Sequence, residues 1–138
     1  MGANSRRYAQ HQLHYLRKEV AYNTTGIDTD ATVEVGRLPA NAVVTSTVVN
    51  VTQAFNAATT NVLIVGTAAD NDALVDASTS GSSVTEGTVG VYSCAPATLG
   101  GRMSSSAETT IYAKYSQSGT AASAGVAVIN VFYTLPDL

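Results

Sequence analysis

"LPANAVVTSTVVNVTQAFNAATTNVLIVGTAAD", residues Leu38–Asp70, decides the reading of the fold. Two β-branched runs, Asn41–Gln53 and Thr60–Gly66, are separated by a Thr-rich loop and followed by an acidic turn. Val, Ile and Thr are stiff at χ1 and suit a pleated, half-buried surface, so each run predicts a strand. The stretch contains no His, Cys, Lys or Arg, and its one acid, Asp70, stands at its end. Ordered backbone without reactive groups suits a scaffold better than a catalytic centre.

The rest of the chain extends this pattern. Ala, Thr, Ser and Val supply 69 of the 138 residues, Leu only 8, and charged residues 12%. Helical proteins lean on Leu, Glu, Lys and Arg, so this is a β-protein composition. Further strands are predicted near 14–23, 31–36, 73–77, 87–94, 107–116 and 124–134, separated by Gly-, Ser- and Pro-rich turns. The segment 14–23 also has a helical reading, because Tyr8, Tyr15 and Tyr22 recur every seven residues. In the last strand Val126, Val128, Asn130 and Phe132 form one face, and Ala127, Ile129, Val131 and Tyr133 the other. Both faces are largely apolar, which predicts a central strand covered on each side. Val62, Ile64, Val91, Ile111, Ile129 and Val131 are the expected inter-sheet core.

Eight short strands without helical periodicity predict an all-β protein: an antiparallel eight-stranded β-sandwich of jelly-roll type over residues 13–138. Residues 1–12 read as a flexible basic arm. The net charge of −3 is unevenly placed: residues 1–18 hold Arg6, Arg7, Arg17 and Lys18 and no acid, while the remainder holds three bases and ten acids. Four bases without a recognition motif do not predict nucleic-acid binding, and contact with an acidic protein is the expected role. Neither a signal-peptide core nor a membrane-length apolar run is present, so no membrane partner is expected. Cys94 is the only cysteine, so no internal disulfide can form, and a buried structural thiol is expected.

Catalytic and metal chemistry find little support. His11 and His14 are three apart but lie in the basic segment with no third ligand near them. Asp70, Asp72 and Asp76 begin like a calcium loop, but the sixth position is not Gly and the twelfth is Gly81 rather than Glu. A solvated acidic turn is the expectation, with a loose calcium site as the alternative. Thirteen serines lack a neighbouring base, and no phosphate-binding glycine loop occurs. No enzyme activity and no cofactor are expected.

A resemblance follows from "GRLPANAVV", "VNVTQAFNAATTNVLIVGTAADNDAL" and the closing "VINVFYTLPDL". Leu38-Pro39-Ala40-Asn41 leads into a β-branched strand, Ala54-Phe55-Asn56 opens a Thr-rich loop, and Val65-Gly66 closes an apolar strand before the Asp70/Asp72 turn. This order over residues 30–135 resembles the small cement, or decoration, proteins of tailed-bacteriophage capsids. The resemblance implies a jelly roll bound to the outer capsid surface, with the major capsid protein as partner. It also implies self-association as a homodimer, a trimer being the alternative. The N-terminal segment 1–20 lies outside the resemblance. Arg6, Arg7, Tyr8, Tyr15, Arg17 and Lys18 are its candidate partner-binding residues, because Arg and Tyr combine large area with a polar end. A receptor- or carbohydrate-binding sandwich of a phage fibre is the alternative function.

Overall fold

The computed structural model describes residues 13–77, 83–96, 103–104 and 106–135. Its elements are β1 (His14–Ala21), β2 (Val33–Leu38), β3 (Val43–Gln53), β4 (Thr60–Gly66), β5 (Gly90–Cys94), the two-residue β6 (Met103–Ser104), β7 (Thr109–Ser118) and β8 (Val126–Thr134). No helix occurs among the described residues. The strands form two antiparallel sheets. The first, sheet A, runs β1, β8, β3, β5, with β6 also paired to β3; the second, sheet B, runs β2, β7, β4.

Alternation explains the packing. Ala127, Ile129, Val131 and Tyr133 of β8 face inward and are buried, as are Val49 and Val51 of β3. From sheet B, Ile111, Ala113 and Tyr115 of β7 and Leu63 and Val65 of β4 complete the same core. Two bulges in β3, between Val44 and Ser46 and between Val51 and Gln53, re-aim its ends.

The loop after β3 is built by three neighbouring side chains. Phe55 points into the core, 4.7 Å from the Tyr115 ring. Asn56 Oδ1 accepts the backbone N–H groups of Ser123 (2.8 Å) and Ala124 (3.0 Å), tying this loop to the β7–β8 connection. Asn61 Oδ1 accepts from the Ala57 N–H at 2.9 Å and from the Tyr115 hydroxyl at 2.5 Å. Gly125, at φ 145°, passes directly beneath Phe55: a β-carbon there would stand 2.3 Å from Phe55 Cδ1. Only glycine satisfies both the backbone angle and the space.

Several expectations change. Residues 73–77 do not form a strand: Val75 makes a lone antiparallel bridge with Val65. Ala73, Leu74 and Val75 are buried for their side chains, while acidic turn residues flank them too closely for a ladder to extend. The eight-strand count built on that segment therefore does not carry over; seven strands have five or more residues, and β6 arises inside a stretch expected to be a turn. On β4 the register differs by one residue. Leu63 and Val65 face the core, whereas Val62 is half-buried, and Ile64, though buried, pairs with Lys114 on the outward row. Val91 is 68% exposed on the outward side of β5, and Cys94 takes the inward place.

Candidate functional site

Of the candidate partner-binding residues, Arg6, Arg7 and Tyr8 lie outside the described residues, as does His11. Tyr15, Arg17 and Lys18 stand on β1, an edge strand of sheet A. The segment is a strand rather than the helix considered as its alternative. Tyr15 and Arg17 share the outward row, opposite Phe132 and Asn130 of β8. Lys18 falls on the inward row opposite Ile129, yet it is exposed at the sheet edge, where β1 has no second neighbouring strand among the described residues. His14 stacks on Tyr133 at 5.4 Å.

The acidic turn has a defined geometry. Thr67 donates its backbone N–H to the Asp70 carbonyl at 2.8 Å, and its hydroxyl oxygen accepts the Asp70 N–H at 3.1 Å. The turn closes over Gly66, where a β-carbon would stand 2.2 Å from the Asp70 carbonyl oxygen. Asp72 is held above the usual carboxylate range, first by its side-chain hydrogen bond with Asp70 and then by burial. Among the described residues, no three His, Cys, Asp or Glu side chains are grouped to hold a metal ion.

Sequence reasoning missed Glu86. Its side chain is buried and accepts the Leu63 N–H at 2.7 Å, while its carbonyl accepts the Phe55 N–H at 2.9 Å. A single residue thereby fastens the β5 approach to the β3–β4 loop and to the outer edge of β4. Burial raises the Glu86 pKa, and the bond from Leu63 only partly opposes this. Cys94 nearby is pushed up to about 11 by burial and by the Glu86 charge, which makes it a poor nucleophile. No local signal marks Glu86, because "SSVTEGTVG" reads as a turn and its partner Leu63 is far away in sequence.

A carboxyl whose folded pKa exceeds its unfolded value binds its proton more tightly when folded. Its stabilising contribution is fully present below the ordinary glutamate range and is lost as pH rises through the folded value. Glu86→Gln keeps an acceptor for Leu63 and removes the charge. The variant is expected to melt higher than the parent at pH 7, with the difference shrinking toward pH 4. Thermal unfolding of both proteins across that range checks this; a difference independent of pH would show that the charge is not the cause.

No protein-family model matches the chain, and no curated protein matches it in sequence. Solved structures do. A chain of the cyanophage Pam1 capsid asymmetric unit aligns with a TM-score of 0.62 and 22% identity, over 91% of this chain and 86% of that chain. A chain of the acid-stable capsid of Helicobacter pylori bacteriophage KHP30 aligns with a TM-score of 0.62 and 16% identity, over 93% and 91%. A chain of the Ralstonia phage GP4 capsid aligns with a TM-score of 0.54 and 17% identity, over 94% and 88%. At these identities the likeness establishes a shared fold: this chain has the two-sheet antiparallel architecture of chains found in those three phage capsids.

Proposed function

We propose that this chain is a structural protein of a bacteriophage capsid, and specifically a cement protein that binds the outer shell surface and stabilises it across capsomer junctions. The observation that carries the reading is the near-full-length likeness to chains in three phage capsids. The resemblance over residues 30–135 to phage cement proteins, that of a Bordetella phage among them, supports it from the sequence side. So does strand order. Successive strands β1, β2, β3 and β4 alternate between the two sheets, and Val75 lies against the free edge of β4 where an eighth full strand would stand. That order supports the jelly-roll reading, with one strand reduced to a bridge.

The partners are the major capsid protein and further copies of this chain, as a homodimer or a trimer. Many weak contacts repeated by symmetry sum to a large stabilisation of the shell. No catalysis is required of such a protein. Quantitative mass spectrometry of purified virions tests the reading. A copy number comparable with that of the capsid protein is expected; a few copies per particle would point to a fibre or spike instead.

Residues 1–12 act in this proposal as an arm separate from the sandwich at 13–138. Deleting them should leave the thermal unfolding of the sandwich unchanged, because its strands lie downstream. Binding to capsids should weaken, and most at low salt, since exposed charge contacts are screened beyond about 8–10 Å near physiological ionic strength. Equal binding by full-length and truncated chains at every salt concentration would remove the arm from the interface.

A further inference from the structure

We propose that the outward face of sheet A is the docking surface of this chain. Its occupant is a protein surface that is apolar at its centre and acidic along the margin facing β1. The inference rests on the capsid reading for where that partner is found.

The two outward faces differ in chemistry. On sheet B, Arg37 pairs with Glu34 at 2.9 Å and with Glu108 at 3.6 Å, and Lys114 pairs with Asp30 at 2.9 Å. That face is a solvated surface whose charges are already matched. Sheet A is the reverse. Across its outward side, Val91 of β5 stands beside Asn50 of β3, which stands beside Val128 of β8. The adjoining rows bring Val48 beside Asn130, and Phe132 beside Tyr15. The large apolar side chains exposed among the described residues are Leu13 (58%), Tyr15 (58%), Val89 (60%) and Val91 (68%). Every one lies on, or directly before, β1 or β5, the two edge strands of this sheet's main path.

The sequence of β8 makes the same point. Its two faces are both largely apolar, the pattern of a strand covered on each side. The fold supplies one cover, sheet B; no second sheet lies over the other row among the described residues, where Val126 and Phe132 are half-buried and Val128 is shielded by its neighbours. Size permits a specific contact. Four strands about 4.8 Å apart, three of them about 27–37 Å long and β5 about 17 Å, present roughly 500 Å² before side-chain relief. That is about one partner's share of the smallest specific interfaces.

Charge selects the partner. Arg17 and Lys18 make no ion pair among the described residues, unlike Arg37 and Lys114. Glu19 shares the outward row with Arg17, and with the exposed Lys18 the strand β1 holds two bases to one acid. An acidic rim on the partner is the complement of that margin. A second copy of this chain offers positive charge there, which disfavours face-to-face self-pairing along β1.

The experiment uses the full chain and phage particles assembled without it. Val91→Asp and Tyr15→Asp place a charge at exposed positions and should leave thermal unfolding unchanged. Each should weaken particle binding by about tenfold or more, as burying an unpaired charge in an interface does. Arg17→Glu should weaken binding at low salt and much less at high salt. Thr110→Asp and Ser116→Asp, on the outward face of sheet B, should bind like the parent. Normal binding by the sheet A variants, or loss of binding by the sheet B variants alone, would overturn the assignment while leaving the capsid reading intact. Failure of the parent chain to bind any particle would overturn both. Two other occupants are separable. If Val91→Asp converted an oligomeric parent to monomer in sedimentation velocity, a second copy would own the face. If deletion of residues 1–12 tightened particle binding, the chain's own N-terminal segment would own it. Either result overturns the proposal.

Discussion

Phe55→Ala is expected to destabilise the protein by about 3–5 kcal/mol, the usual range for emptying an aromatic core site. Phe55 is 2% exposed, lies against the Tyr115 ring, and fills the space that Gly125 leaves open. Relaxation into the cavity is restricted on three sides. The Phe55 N–H is held by the Glu86 carbonyl, Asn56 is clamped to residues 123–124, and Tyr115 is anchored through Asn61. A cavity whose walls are tied cannot collapse, so the upper half of the range is expected. Urea unfolding of the parent and variant measures it. A loss below about 1 kcal/mol, the size of an average substitution, would show that the loop repacks freely.

Ile129→Ala is expected to cost about 2–5 kcal/mol. Ile129 is fully buried on the central strand β8, between Lys18 of β1 and Val49 of β3. The neighbouring strands are hydrogen-bonded on both sides, so the backbone cannot shift inward to fill the gap. Val91→Ala is the matched control: at 68% exposure on an edge strand it should change stability by less than about 0.5 kcal/mol. A reversed order, with Val91→Ala the more damaging, would mean that the register of sheet A is off by one residue.

These two sites also mark where the sequence was readable. On β8 and β7 one face carries the larger or fully apolar set, so parity could be read: Ile129, Val131 and Ile111 lie inside as expected, and Tyr115 shares the Ile111 face. On β4 the run Val62-Leu63-Ile64-Val65 is apolar throughout, and nothing local tells which pair faces in. On β5, Val91 competes with Tyr92 and Cys94, and a cysteine that behaves as a small buried hydrophobe won the inner place. The segment 73–77 has strand residues but too little length between acids to build a ladder. Of the candidate surface, Tyr15 and Arg17 could be placed together because they are two apart on a strand. The asymmetry between the two outward faces was not legible, because it depends on which acids fold beside Arg37 and Lys114.

The pairing of β1 with β8 also sets a timetable. Residues 22–125 lie between the two strands, so among the described strands β1 is made first and acquires its in-sheet neighbour last. Until then Leu16 and Val20 lack the strand beside them, and sheet A is without its second member. Bringing such distant segments together places folding in the slow range of all-β domains, about milliseconds to seconds. A chain cut short before β8 therefore could not complete this sheet, and only finished chains would present the full outward face to a shell. Synthesis through β8 would then serve as the checkpoint that separates usable copies from failed ones.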